Sequence, residues 1–409
     1  MAKIVVVIAA LDTKGEEAKL IRDTLAAQGV QPLVVDVGVL GVQTIPSDVS
    51  RAEVAAAGGG NLDQLVAGRD KALAMEVMPR GAALVAARLY SEGRLDGIIG
   101  LGGSAGTAIA TSAMRALPVG VPKLVVSTVA AGDTRAYIGT KDVTMMYSVV
   151  DIAGINRLSA RILSNAAAGI AGMVKAEPPT LAERPLLAAS MFGNTTPCVD
   201  RARENMEAAG YEVLVFHATG AGGQTMESLI ADGYVDGVLD LTTTEWADEL
   251  AGGVFSAGPG RLDAAARAGI PQVIAPGCLD MVNFGAPETV PERYRQRKFY
   301  RWNPNVTLMR TTPKENAQLG QIIAEKANAA KAAIAIMLPL GGVSQLDSAG
   351  GDFWWPEADA ALFAALKAHV RPGIPVIEMP ENINDPAFAD RAAGLLLAMV
   401  RKGSVRAPQ

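Results

Sequence analysis

The residues best suited to chemistry lie in short polar segments that each follow a β-branched run. The clearest is Gly100-Leu-Gly-Gly-Ser-Ala-Gly-Thr107, which comes after an apolar run and opens a segment of helical composition. Glycines let the backbone approach a phosphate, and the first turn of a helix presents unpaired N–H groups at a positive dipole end. Ser104 and Thr107 offer hydroxyls to phosphate oxygens or to Mg²⁺. No Lys precedes Thr107, so this is not a Walker A loop. Gly100, Gly102 and Ala105 do satisfy G-x-G-x-x-A, but the segment is not attached to the first strand of its unit and no acidic residue follows about twenty positions on. A strand-to-helix turn that serves close packing alone is the competing reading. In Asp12-Thr-Lys-Gly-Glu-Glu17, Asp12 or Thr13 can cap a helix with Glu16 in its first turn, and Lys14 stands where a phosphate or carboxylate could meet it. In Ser127-Thr-Val-Ala-Ala-Gly-Asp-Thr134, Asp133 could hold Mg²⁺ through water, with Lys141 and Asp142 adding to the pocket. An ordinary polar turn at Gly132-Asp133 explains the same residues.

The second half supplies acid–base candidates. His217 ends a β-branched run and leads into Ala-Thr-Gly-Ala-Gly-Gly223, a position that suits a general acid or base, with Glu227 as its partner or as a helix-dipole residue. Asp240-Leu-Thr-Thr-Thr-Glu245 and Pro276-Gly-Cys-Leu-Asp-Met-Val-Asn283 follow two further runs. The candidate catalytic set is therefore His217, Glu245, Cys278 and Asp280, although a lone Cys in an apolar chain is usually inert core. Two histidines and scattered carboxylates do not make a zinc site. The run Glu292-Arg-Tyr-Arg-Gln-Arg-Lys-Phe-Tyr-Arg-Trp-Asn303 could stack on a nucleic-acid strand or form a lid facing an anionic ligand. A net charge of −5 argues against the former. Gly341, Gly342 and Ser344 form another anion-friendly turn, and Trp354 and Trp355 could close over a ligand, plug the core or contact a subunit.

The elements that must position these residues alternate in type. Ile4–Ala9, Leu33–Val37, Asp96–Leu101 and Lys123–Thr128 have the composition of buried strands. Glu16–Gln28, Asn61–Gly68, Gly81–Glu92 and Ala105–Leu117 have helical periodicity. Asp151–Val174 reads as one long helix, stopped by Pro178 and Pro179. Strands alternating with long helices imply right-handed crossovers and a parallel sheet covered on both faces. At 409 residues the chain holds two or three domains of roughly 150 residues each. The second half echoes the first in order: Gly93-Arg-Leu-Asp-Gly-Ile matches Gly233-Tyr-Val-Asp-Gly-Val, and Gly120-Val-Pro-Lys-Leu-Val matches Gly269-Ile-Pro-Gln-Val-Ile. The expected fold class is α/β: two Rossmann-like doubly wound parallel-sheet domains from an internal repeat, residues 1–177 and 178–409. Ligands in such sheets bind at the carboxyl ends of strands, where each candidate segment falls. With 50% hydrophobic residues, no unbroken membrane span, no signal-peptide pattern and two cysteines, the chain reads as a soluble cytoplasmic protein without a disulfide framework.

As a set, these motifs resemble the ATP-binding-domain family of the tomato mosaic virus resistance protein and its bacterial relatives. The likeness rests on Leu11-Asp-Thr-Lys-Gly-Glu16, Gly100–Thr107, Ser127–Asp133, Val215–Gly223, Pro276–Gly285 and Pro339–Asp347. Trp355 departs from it, standing where an acidic residue is expected before Pro356-Glu357. The resemblance implies a homodimer of two Rossmann-like halves, with ATP bound by the first. It maps nucleotide contacts onto Thr13, Lys14, Gly102, Gly103, Ser104, Gly106, Thr107, Thr128 and Asp133, the last also the Mg²⁺ candidate. Three functions then stand open. The first is an ATP- and Mg²⁺-dependent enzyme acting on a small anionic metabolite at a cleft between the halves. The second is a nucleotide-gated binding protein without turnover, and the third an ATP-independent lyase or hydrolase in the second half.

Overall fold

The computed structural model describes residues 2–68, 70–177 and 184–404. The chain divides into two compact units, residues 1–180 and 181–409. Pro178 and Pro179 lie outside the described residues.

In the first unit, β1 (Ile4–Ala9), β2 (Gln31–Asp36), β3 (Gly97–Gly102), β4 (Lys123–Ser127) and β5 (Thr144–Tyr147) form one parallel sheet in the order β2-β1-β3-β4-β5. Successive side chains of β1 serve opposite cores, which is why it is apolar throughout rather than alternating. Val5, Val7 and Ala9 pack with Ile21 and Leu25 of α1 (Gly15–Ala27) and Leu163 and Ile170 of α7 (Arg157–Lys175). Val6 and Ile8 pack on the other face, with Val54 of α2 (Arg51–Ala57), Leu65 of α3 (Leu62–Gly68), Met78 and Val85 of α4 (Lys71–Ser91) and Ile109 of α5 (Ser104–Arg115). One further turn, α6 (Arg135–Ile138), precedes β5.

Two expected helices have different bounds. α4 begins ten residues before Gly81 and carries Pro79 in its interior. Asp70 caps it by accepting from Ala72 and Leu73 N–H, and burial of Val77 and Met78 outweighs the cost of the proline. α7 begins at Arg157 rather than Asp151, because Asn156 and Ser159 form a reciprocal capping box at its start.

The second unit repeats the plan. Its strands are β6 (Leu186–Met191), β7 (Glu212–His217), β8 (Gly237–Thr242), β9 (Gln272–Gly277), β13 (Ile334–Pro339) and β14 (Val376–Met379), all parallel. Their order β7-β6-β8-β9-β13-β14 reproduces that of the first sheet with one strand added. The helices are α8 (Thr196–Ala208), α9 (Ala221–Ala231), α10 (Glu245–Ala251), α11 (Ala264–Ala268), α12 (Pro313–Asn328), α13 (Pro356–His369) and α14 (Pro386–Ser404). Between β9 and β13 the chain inserts an antiparallel sheet of β10 (Met281–Phe284), β11 (Phe299–Asn303) and β12 (Val306–Arg310), ordered β10-β12-β11. The basic and aromatic run thus ends in an edge strand rather than a loop.

One buried cation organises this unit. Arg261 is 1% exposed, and its guanidinium donates to Asp240 of β8 at 2.6 Å through two nitrogens and to Glu245 of α10 at 2.6 Å. Glu227 of α9 lies 3.2 Å away and also accepts from Leu262 and Ala264 N–H, the former in a left-handed backbone conformation with φ 74°. Glu245 in turn accepts from Gly220 and Gly223 N–H, closing the N-terminus of α9. A methyl group at Gly223 would overlap that carboxylate. Removing Arg261 leaves three carboxylates buried without their cation. We expect Arg261→Met to destabilise the second unit by about 3–5 kcal/mol. Denaturant unfolding of the variant checks this, and a loss below about 1 kcal/mol would refute the hub.

Candidate functional site

Both sheets place their switch point between the first and third strands of the unit, where the connections leave in opposite directions. In the first unit a cavity of about 420 Å³ opens there. Val37, Val39, Leu65, Met75, Met78 and Ile109 give it an apolar wall, and Asp12, Thr13 and Ala105 bring in the ends of β1 and the first turn of α5. Its size and mostly apolar lining are those of a small-molecule site. Sequence patterning did not point to this wall. Val37 and Val39 come from the irregular stretch after β2, and Met75 and Met78 from the part of α4 before Gly81. Leu65 and Ile109 come from expected helices, whose buried faces the periodicity alone does not assign to a cavity.

The expected nucleotide contacts divide into two groups. Gly103 takes the N-cap position of α5, no side chain caps that helix, and Ser104 is exposed on its first turn. Thr128 lies close by, its hydroxyl oxygen 3.7 Å from where a Gly103 methyl would stand. Gly102 accepts from Thr128 N–H at 3.3 Å, and Gly106 packs against Leu101. Thr13 lines the cavity. Other residues are engaged with the protein itself. Thr107 is fully buried and its hydroxyl meets Ser127 Oγ at 2.7 Å. Lys14 takes the N-cap position of α1, and its ammonium donates to the Ile152 carbonyl. Asp12 does not cap the helix: its carboxylate accepts from Leu40 and Gly41 N–H at 2.7 and 3.0 Å and pins the loop beside the cavity. Asp133 lies on an exposed loop with both carboxylate oxygens held by Arg135, which lowers its pKa to about 2. Both side chains of this pair are largely exposed to solvent. Asp142 pairs with the buried Lys123 at 2.8 Å.

The four expected catalytic residues all sit at strand ends of the second unit, in unlike surroundings. His217 is exposed and its ring lies 5.4 Å from that of Phe192. Glu245 belongs to the Arg261 hub, and burial raises its pKa against the pull of that guanidinium. Cys278 is wholly buried with φ 57°, a strained backbone for a residue with a side chain. Burial, reinforced by the charge of Asp280, raises the thiol pKa well above its usual value, against a hydrogen bond from Thr195. Asp280 is also wholly buried and accepts from Ser344 Oγ at 2.8 Å. Burial and the neighbouring Asp347 push its pKa up to about 7 despite Arg310. Asp359, 2.8 Å from Arg310, rises to about 8 mainly through burial. Phe192, Met281, Leu308, Leu346 and Phe353 form an apolar plug with Cys278. The inserted sheet contributes two of them, and Trp302 of β11 rests over Gly193 at the end of β6. Among the described residues no three His, Cys, Asp or Glu side chains converge as a metal cluster, and no helix is long and apolar enough to cross a membrane.

Fold and site together define a duplicated α/β protein whose first unit has an open crevice at its switch point and whose second has that edge filled. The chain belongs to the UPF0261 family. Residues 3–179 match the "Uncharacterised protein family (UPF0261) N-terminal domain" and residues 184–400 its C-terminal domain. A UPF0261 protein of Clostridium tetani is 53% identical over 98% of this chain and 100% of its own length. The ToMV resistance protein Tm-1(GCR237) of Solanum lycopersicum is 44% identical over 78% of this chain, which spans 44% of that longer protein. Acinetobacter baumannii MurG, a solved structure, aligns with 98% of this chain and 100% of its own at 12% identity and a TM-score of 0.21, too slight a likeness to bear on function.

Two outcomes test this electrostatic picture. Cys278, and Cys198 with its thiol pushed up to about 12 by burial, should resist a thiol reagent at neutral pH in the native protein and react after unfolding. Rapid labelling of the native protein would contradict it. Because Asp280 and Asp359 hold protons in the folded state that they lose in the unfolded one, their contribution to stability is full below about pH 4 and is lost as pH rises to about 8. In metal-free buffer, Asp359→Asn should therefore weaken the decline in melting temperature between pH 5 and pH 8.5, roughly the window these values span. An unchanged slope would refute the assignment.

Proposed function

We propose that the first unit binds ATP in the cavity between β1, β2 and α5. The observation that carries this reading is the meeting of an apolar cavity with an uncapped helix N-terminus. The apolar wall suits a nucleobase, and the phosphates would run toward the Gly103–Gly106 turn, where free N–H groups and the Ser104 and Thr128 hydroxyls can receive them. Mg²⁺ would arrive on the triphosphate and neutralise its charge. The candidates to meet the ion are the Ser104 and Thr128 hydroxyls and the exposed Asp133 carboxylate, acting directly or through water.

Within this reading ATP acts as a conformational ligand more readily than as a consumed substrate. Of the four side chains suited to catalysis in the second unit, only His217 is exposed, whereas Glu245, Cys278 and Asp280 are at most 1% exposed. The competing reading, an ATP- and Mg²⁺-dependent enzyme acting on a small anionic substrate, draws support from Asp280, whose pKa of about 7 suits proton transfer.

Calorimetric titration with ATP, with and without Mg²⁺, tests the proposal. Binding in the micromolar range is expected, and Ser104→Trp should abolish it by filling the start of α5. No heat at millimolar ATP would overturn it. Steady release of ADP in the presence of small carboxylic acids would replace the gating role with the enzymatic one.

A further inference from the structure

The inserted antiparallel sheet has two unlike faces. On one, the Tyr300 ring lies 6.4 Å from that of Phe353 and joins the plug over the strand ends. Side chains alternate along a strand, so Phe299 and Arg301 of β11 take the opposite face. Thr307 of β12 stands directly across the strand pair from Arg301 and shares that face. A cavity of about 470 Å³ opens there. Phe299, Arg301 and Thr307 line it from the sheet, and the loop between β10 and β11 lines the rest.

Most arginines of the Glu292–Asn303 run are already used by the protein. Arg293 donates to the Ala251 carbonyl, Arg295 pairs with Glu292, and Arg297 pairs with Glu315 at 2.6 Å. Arg301 is different. Among the described residues its guanidinium has no ion pair or hydrogen bond, and it lines the cavity. Glu288 lines the same cavity and is equally without a partner among those residues. One cation and one anion are thus held apart from each other in a single cavity, both open to solvent. Between the charges the lining is apolar: Val290 and Phe299, both half-buried, pack on the core beneath, and Pro287 adds to them. Thr307 is only 4% exposed, and its hydroxyl has no partner.

We infer that this cavity binds a small zwitterion with an apolar side chain, an amino acid or a short peptide. Arg301 receives the carboxylate, to which the planar guanidinium fork is suited, and Thr307 offers a further donor beside it. Glu288 receives the ammonium, and Val290, Phe299 and Pro287 receive the apolar part. A plain anion would bring its charge toward Glu288, and a plain cation toward Arg301, so a ligand carrying both signs suits the pair best. The Arg295–Glu292 pair is neutral in sum and leaves this balance unchanged. The volume is that of a small-molecule site. The cavity lies in the second unit and owes nothing to the ATP reading, so either can fail alone.

Titration of the full chain with L-leucine and with leucylleucine, followed by calorimetry and by saturation-transfer NMR, tests it. Isovalerate, which lacks the ammonium, and isoamylamine, which lacks the carboxylate, are the comparisons. One of the two zwitterions at least should bind, and the tighter of them tells free amino acid from peptide. Isovalerate and isoamylamine should each bind at least about tenfold more weakly, since a hydrogen bond to a charged group commonly contributes that factor. Arg301→Gln and Glu288→Gln should each weaken binding of the zwitterion by about tenfold or more for the same reason. Both side chains are exposed, so these variants keep the fold. Lys298→Gln, which removes an exposed cation of the same run outside the cavity, should leave the affinity unchanged. No binding of either zwitterion at millimolar concentration, equal binding of isovalerate, or unchanged affinity in both cavity variants would overturn the inference.

Discussion

The second unit depends on one buried guanidinium. Arg261 holds β8 through Asp240, α10 through Glu245 and α9 through Glu227, so three elements converge on a single side chain. An unpaired charge is very costly inside a protein, whereas a paired one with every donor used is tolerated. That constraint fixes the local backbone as well. The left-handed Leu262 is held by Glu227, and the Gly220–Gly223 turn is closed by Glu245. Protein groups therefore fill positions that a ligand's charges would otherwise take.

The two units show how one plan of strands can be put to different uses. Each sheet has the same order over five strands, and each switch point falls in the corresponding place. In the first unit the α5 N-terminus has no side-chain cap and opens beside an apolar cavity. In the second, the carboxyl edge is packed with Thr242, Thr243, Thr244, Asp280 and Ser344, all wholly buried, and the inserted sheet contributes Met281 and Leu308 to the plug above it. Duplication preserved the topology, while insertion and buried charge changed what the strand ends can receive.

Much of this architecture was legible in the sequence. Runs such as Ile4–Ala9 are apolar at every position because both faces of a parallel strand are covered, and no alternating strand has that signature. The repeated Asp-Gly and Gly-x-Pro signals marked equivalent strand starts, and the Gly100–Thr107 pattern marked the strand-to-helix turn at α5. What the sequence left open was decided by contacts between residues far apart in the chain. Arg261 was not singled out, because nothing local distinguishes a buried arginine from a solvated one. Asp12 has the type and position of a helix cap, yet it ties down the loop at Leu40 and Gly41. Glu245 has the type and position of a catalytic acid, yet it pairs with a cation sixteen residues away. Residue type and spacing fix which groups stand at a strand end. Whether such a group meets solvent, a ligand or another part of the protein depends on long-range packing, and only the tertiary structure decides that.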